Sequence, residues 1–470
     1  MASAARKGSR RRSTPRAKFV KRYQRLEEMP IVHRQAAGLD LAGAASHFVA
    51  IEIGEEIEVR EFGGTTDEVK AMVTYLVTQG ITSVAMEATG VYWMVVYDLL
   101  EAAGLEVFLV NPSHAKNVPG RRKDDKLDCR WLQKLHKYGM LSASFRPDPE
   151  DRPLHSLHRQ RLRLVQLATD EVRRMQKALD IMNLRIHKVL SDLVGVTGLR
   201  LIRAILAGER DPAVLAQLRD PRCSCTPAEL EAALTGHYLP AQCTALRQAL
   251  ARYELLLQQV AELDGEIEAI LRAWLPWPAA EIDARLAEAG PGPRTSSHHQ
   301  HAPAFPVVAY VEGVTGQDPT VLPGIGPHLA LSLLAETGRN LEKWPTVKHF
   351  TSYATLAPVQ KISGGKLLSS RTRAGVHPLA ILFRQAAATV SRSDTALGAF
   401  YRRLAVRVGR AKALTATARK IAEQYYYLMR YGRAYVEHGA QRYEERYRQR
   451  QIAGVLRKAE QLGLTLVPAA

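Results

Sequence analysis

Only four cysteines, Cys129, Cys223, Cys225 and Cys243, occur in the 470-residue chain, too few and too irregularly spaced for a disulfide framework. They read as reduced thiols. The Cys223-Ser224-Cys225 pair lacks the two-residue spacer of a zinc knuckle and no second matched pair follows it, which argues against a structural zinc. No apolar run is long enough to span a bilayer and no N-terminal apolar core resembles a signal peptide, so the expectation is a cytoplasmic protein with no membrane partner. Acidic residues are short as well: 47 Asp and Glu face 65 Lys and Arg, for a formal charge of +18 and a pI near 9.8. That imbalance says little about fold, but it points to a polyanionic partner, nucleic acid first.

The charge begins at the N-terminus, where Arg6, Lys7, Arg10, Arg11, Arg12, Arg16, Lys18, Lys21 and Arg22 precede the first acidic residue, Glu27. Residues 1–30 therefore read as a basic arm, disordered alone and suited either to phosphate contact or simply to solubility. Residues 31–148 change to short apolar runs between turns. Three strands in meander order are expected at 38–42, 47–53 and 57–62, then a helix at 66–79, a strand at 82–86, a helix at 91–103 and a strand at 105–110, together an α/β domain. Residues 149–285 carry heptad-like leucines in two blocks, Leu154, Leu157, Leu164, Leu167 and Met175, then Leu246, Leu250, Leu255 and Leu256. Two long helices folding on each other or on a partner chain would bury them. Residues 286–320 turn to Gly, Pro, Ser and His and read as a linker whose histidines have no acidic or cysteine partners nearby. A mainly α domain is expected at 321–435 and a basic helical tail at 436–470.

Four carboxylates of the first domain carry the chemical signal: Asp40 inside the first strand, Glu87 just past the fourth, and Asp125 with Asp128 after the basic run Arg121-Arg122-Lys123. An aspartate between Leu39 and Leu41 is disfavoured by strand propensity and by burial, and a bound cation is the simplest compensation. Asp125 and Asp128 are three apart, so a helix starting near residue 123 turns both to one side. Asp124 is an alternative ligand with poorer spacing. Oxygen donors suit Mg²⁺, with Mn²⁺ serving as well, and such ions support two-metal phosphoryl transfer. Taken singly, Glu87 could cap the following helix and the Asp125–Asp128 stretch could complement a helix dipole.

The second constellation is Lys361-Ile362-Ser363-Gly364-Gly365-Lys366 followed by Arg371, Arg373 and His377. A serine beside two glycines can expose its hydroxyl on a tight turn beside a bound phosphate, although many such runs are plain hairpin tips. Leu322-Pro323-Gly324-Ile325-Gly326-Pro327 opens a helix, and its glycines allow backbone amides to approach a phosphate. Between residues 402 and 450 basic residues interleave with Tyr425, Tyr426, Tyr427, Tyr431 and Tyr435, which either stack on unpaired bases or form helix core.

In order and spacing, Gly38-Leu39-Asp40, Met86-Glu87-Ala88-Thr89-Gly90-Val91-Tyr92, Asn111-Pro112 and Lys123-Asp124-Asp125-Lys126-Leu127-Asp128 resemble the motifs of the DEDD transposases of bacterial insertion sequences. Leu322-Pro323-Gly324-Ile325-Gly326, Ala335-Glu336-Thr337-Gly338, Leu356-Ala357-Pro358, Ser363-Gly364 and Ala418-Arg419-Lys420 resemble the second domain of the insertion sequence 110 group, whose members are guided by a structured bridge RNA. Thr355 stands where many relatives have glycine. The resemblance implies a RuvC-like, RNase H-type first domain with Asp40, Glu87, Asp125 and Asp128 as metal ligands. It also implies a covalent protein–DNA intermediate on Ser363, and domains that cooperate across protomers in a homotetramer or homodimer. Its nucleic-acid contacts would be Arg121, Arg122, Lys123, Gly324, Gly326, Lys366, Arg371, Arg373, Arg419 and Lys420. The expected function is strand exchange that excises and inserts a mobile element, with DNA ends, target DNA and guide RNA as partners. Two other readings stand beside it, a metal-dependent junction nuclease without serine chemistry and a non-catalytic nucleic-acid-binding protein.

Overall fold

The apolar runs of the first domain become five strands, β1 (Ala36–Ala42), β2 (Ser46–Ile53), β3 (Glu56–Gly63), β4 (Ser83–Glu87) and β5 (Glu106–Val110), in the order β3-β2-β1-β4-β5. β1, β2 and β3 pair antiparallel, whereas β4 and β5 run parallel to β1. Parallel neighbours need crossovers, which α1 (Thr66–Thr78) and α2 (Trp93–Ala102) supply. The computed structural model describes residues 29–42, 45–54, 56–88, 90–111, 125–290, 301–373, 377–435 and 437–465, and the chain divides into two compact units, Met1–Arg146 and Pro147–Ala470. Most of the expected basic arm, at residues 1–28, and the cations Arg121, Arg122 and Lys123 lie outside the described residues.

In the first unit the pleat sorts side chains onto two faces. Ala37, Leu39 and Leu41 of β1 and Val84 and Met86 of β4 join Val69, Met72 and Leu76 of α1 and Val96 and Leu100 of α2 in one core. The alternate residues face α3 (Asp125–Lys137) on the other side. There Ala85 and Val110 pack with Trp131, Leu132 and Leu135, and Phe48 and Ala50 pack with Cys129. α1 begins with a capping box in which Thr65 and Glu68 satisfy each other's backbone N–H groups. α3 lies so close to β1 that a Cβ on Gly38 would stand 2.3 Å from both the Cys129 carbonyl oxygen and the Gln133 nitrogen. Polar contacts fix its rotation: the Gln133 amide donates to the Ala36 carbonyl, and the His136 ring shares a hydrogen bond with the Ser83 hydroxyl at 2.9 Å. Burial, helped by the neighbouring His33, holds the His136 ring down at about 4, so it is neutral at physiological pH.

The second unit is built on two long helices, α4 (Arg152–Ile181) and α5 (Pro240–Ala273). They pack on each other: Met175 and Leu179 of α4 share a core with Leu246, Leu250 and Tyr253 of α5. Four short helices between Ile186 and Leu234 close one end of the pair. Beyond α6 (Ala279–Ala289), the segment expected to be linker carries a helix of its own, α7 (Val307–Thr315). Phe305, Tyr310 and Val311 are buried there with Leu154, Ile267 and Leu271 of the long helices and with Leu331 and Leu334 of α8 (Pro327–Thr337). The long helices and the C-terminal elements therefore share one core, because the Gly- and Pro-rich composition masked an apolar stretch that follows it. The remaining elements are α9 (Val347–Tyr353), a hairpin of β6 (Lys361–Ser363) and β7 (Lys366–Ser369), then α10 (Pro378–Val390), α11 (Ala396–Val408), α12 (Arg410–Tyr431) and α13 (Gly439–Gln461). Tyr425 and Tyr426 are buried beside Phe350, which settles those two as core residues, whereas Tyr431 is exposed. No helix of the described residues is long and apolar enough to cross a membrane.

The Gly38 contact yields a direct expectation. Gly38→Ala forces α3 away from β1, and overpacking of this kind costs about 3 kcal/mol. Hydrogen exchange at the β1 and β4 amides should accelerate accordingly.

Candidate active site

The first unit brings carboxylates to one end of its sheet. Leu39 of β1 is paired with Met86 of β4, so Asp40 and Glu87 occupy the next positions on two adjacent parallel strands. Leu39 and Met86 point to the α1 and α2 face, and strand alternation therefore turns Asp40 and Glu87 to the α3 face. α3 runs against these strands: Gln133 and His136 meet Ala36 and Ser83 near the strand starts, and Cys129 meets Gly38 further along. Asp128, one turn before Leu132 and half-buried, lies at the helix end that approaches Asp40 and Glu87. Burial raises the Cys129 thiol to about 12, and the charge of Asp40 contributes to that rise, which marks the proximity of β1's aspartate to this turn of α3. α2 begins at an N-cap residue, Tyr92, whose own side chain makes no cap bond.

Asp125 opens α3, but its side chain lies outside the described residues, as does Asp124. Among the described residues no three His, Cys, Asp or Glu side chains already form a group that could hold a metal ion. Asp40 and Glu87 nonetheless offer carboxylate oxygens on one face, at the ends of adjacent parallel strands, and oxygen donors suit a hard divalent cation.

The second locus is the β6–β7 hairpin. Ser363 pairs with Lys366 across a two-residue turn in which Gly364 and Gly365 have φ of 54° and 73°. Positive φ at both central residues is the mirror-image turn that matches strand twist, and it favours glycine. Ser363, Gly364, Gly365 and Lys366 are all exposed, as are Arg371 and Arg373. Beside the serine, Ile362, Leu367 and Leu368 are 61%, 57% and 68% exposed. Gly324 and Gly326 separate in role. A Cβ on Gly324 would stand 2.4 Å from the Ala386 carbonyl oxygen, so that glycine serves close packing on α10, whereas Gly326 is exposed with open space where its Cβ would be. Arg419 and Lys420 both pair with Glu423, at 3.1 and 2.8 Å.

One group of residues has no counterpart in the sequence reading. Glu336, near the end of α8, is nearly buried and accepts a two-pronged hydrogen bond from Arg159 of α4, at 2.8 and 2.9 Å. His155 lies 3.8 Å away. Burial alone would raise the Glu336 carboxyl, but the hydrogen bonds from Arg159 and the nearby His155 ring reverse this and hold it at about 2. Glu336 sits within the Ala335-Glu336-Thr337-Gly338 run, which was legible only as a helix end, and Arg159 carried no signal of its own.

Two family models match the chain. Residues 37–184 match the DEDD transposase model of the IS110 type, and residues 320–402 match the model described as transposase of the IS116/IS110/IS902 family. The chain belongs to the IS110 transposase family. No curated protein matches it. The first match takes in the whole sheet, α3 and α4, with all four carboxylates, and the second takes in α8, Glu336 and the Ser363 hairpin. As an IS110 transposase the chain is a DNA recombining enzyme, and DNA is its partner. α13 and the N-terminal arm fall outside both matched regions.

Two expectations follow. Thr355 has φ of 54°, a left-handed conformation that strains a β-branched residue and gives a physical reason for glycine in relatives. Thr355→Gly in this transposase should relieve roughly 1–2 kcal/mol of strain and lose about half of it to the greater freedom of the unfolded chain, for a net gain of roughly 0.5–1 kcal/mol in chemical denaturation. The lowered Glu336 pKa stabilises the folded state fully above the ordinary carboxyl value of 4.5, and that contribution is lost as pH falls towards 2. The stability gap between wild type and Glu336→Gln, on the order of 3 kcal/mol at neutral pH, should therefore narrow across that window in denaturation series at stepped pH.

Proposed function

We propose that this transposase exchanges DNA strands by serine chemistry supported by a carboxylate-bound metal, and that a structured RNA selects the sites. The carrying observation is the exposed Ser363 at the last position before a Gly364-Gly365 turn, on an excursion that also exposes Lys361, Lys366, Arg371 and Arg373. A phosphodiester in a duplex is reached only by a protruding group, and glycines on the turn let the DNA backbone approach without a Cβ in the way. The three apolar side chains exposed beside the serine form a surface suited to being covered in a complex.

In this reading the Ser363 oxygen forms a bond to a backbone phosphorus while one phosphorus–oxygen bond of the DNA breaks, and the departing sugar oxygen takes up a proton. A sugar hydroxyl of another strand then attacks the phosphoserine, restoring a DNA phosphodiester and returning the proton to serine. One phosphodiester replaces another at each step, so no high-energy cofactor is consumed. Asp40, Glu87, Asp125 and Asp128 would hold Mg²⁺ or Mn²⁺. When bound, such an ion stabilises charge on phosphate oxygens. The order β3-β2-β1-β4-β5, with acidic residues at the ends of β1 and β4, supports a RuvC-like, RNase H-type assignment of the first domain. The charge of +18 accommodates RNA as well as DNA. Assembly as a homotetramer or homodimer, which the resemblance implies, completes the proposal.

A second reading has one observation in its favour. Among the described residues no side-chain base hydrogen-bonds the Ser363 hydroxyl, as expected if Ser363 is only a turn residue of a metal-dependent nuclease. The two readings separate in a denaturing-gel assay with purified protein, RNA transcribed from the element's flank, Mg²⁺ and DNA carrying the element junction. Wild type should form a covalent protein–DNA adduct, Ser363→Ala should form none, and Asp40→Asn should form it at least about a hundredfold more slowly. Cleavage without adduct, equal in wild type and Ser363→Ala, would leave the nuclease.

A further inference from the structure

The serine hairpin joins the body of its unit at two roots, and both are held by the same cluster. One root leaves α9 at Tyr353, passes the left-handed Thr355 and enters the hairpin at Pro358, which bridges to Thr372. The other returns to α10 at its N-cap residue, His377. The rings of Tyr353 and His377 meet edge to face with centroids 4.6 Å apart, so the two ends of the excursion are pinned to each other. His377 is also fixed from behind, because its Nδ1 accepts the Leu379 N–H at the start of α10. The charges of Glu336 and Arg159 also act on both rings.

We propose that Tyr353 and His377 are positioning residues for Ser363: they clamp the two roots of the hairpin together, and the N-cap bond of His377 fastens them to α10. This rests on the serine reading of the hairpin. Within the second unit, the hairpin tip is exposed and its strands are only three and four residues long. A two-stranded ribbon of that size does not hold itself rigid. Its orientation must come from its roots, and two independent features act there: the edge-to-face rings and the N-cap on α10. Thr355 adds a third sign, since a strained backbone persists only where its surroundings over-determine it.

The test uses the full chain with two readouts. In hydrogen exchange, Tyr353→Ala and His377→Ala should speed exchange across residues 359–371 about tenfold while leaving α12 unchanged. In single-turnover adduct formation with junction DNA, the same variants should be slowed by about a hundredfold with DNA affinity unaltered, the scale of a nucleophile displaced by an ångström. Conservative changes discriminate a positioning role from loss of fold. His377→Asn keeps a cap on α10 and Tyr353→Phe keeps the ring edge, so Tyr353→Phe should recover both readouts where Tyr353→Ala does not, and His377→Asn should recover the exchange rate only in part. Unchanged exchange in Tyr353→Ala and His377→Ala overturns the clamp, as does a rate loss matched by loss of DNA affinity. An adduct that persists in Ser363→Ala removes the serine reading instead, and the exchange arm then decides the clamp by itself.

Discussion

A helix can lie directly on the middle strand of a sheet only where that strand presents no side chain to it, and Gly38 is where α3 meets β1. The Cys129 carbonyl and Gln133 nitrogen fill the place a Cβ would take. That approach sets the height of α3 above the sheet, and the bonds from Gln133 to Ala36 and from His136 to Ser83 set its rotation. With height and rotation fixed, the start of the helix is committed to the strand ends that carry Asp40 and Glu87. The carboxylate arrangement is thus a consequence of packing two to four residues away, which is how a rigid scaffold places groups that would otherwise repel one another.

In the second unit the corresponding constraint is charge rather than close approach. Arg161 of α4 is fully buried and donates to Asp264 of α5 and to the His301 carbonyl. A buried pair of this kind contributes little net stability once desolvation is counted. Its effect is on alignment: a shift of α4 along α5 would leave a guanidinium in an apolar core without its carboxylate. The same helix, roughly half a turn earlier, presents Arg159 to Glu336. Register along α4 therefore also sets where Arg159 meets Glu336 of α8.

Much of the first unit was legible in the sequence because its strands alternate or run apolar between clear turns, and because an aspartate between two leucines has few structural explanations. All five strands lie where the pattern puts them, within one or two residues. The helical middle was legible as two leucine stripes, but whether they met each other or a partner was not, since a stripe specifies an apolar surface and not its owner. α7 escaped notice because Pro and Gly just before it gave a composition that outweighed nine residues of helix. Tyr425 and Tyr426 could not be assigned from spacing, as a buried tyrosine and a stacking tyrosine carry the same letter, and only their bonds to Thr337 and Trp344 separate them.

The residues around the serine hairpin mark the limit of pattern reading most clearly. Ser363 was visible because Ser-Gly-Gly is a local signal, satisfied by the local geometry of one turn. Tyr353 and His377 are separated from it by 10 and 14 positions and belong to a helix and to the cap of another. Each has an ordinary local role: an aromatic at a helix end, an N-cap. Their joint role exists only once α9 and α10 have packed. A nucleophile on a short ribbon needs such distant support more than one set in a core strand, because it has fewer neighbours of its own to hold it. The exposure that lets Ser363 reach a phosphate is thus the same property that moves the work of aiming it to the roots of the hairpin.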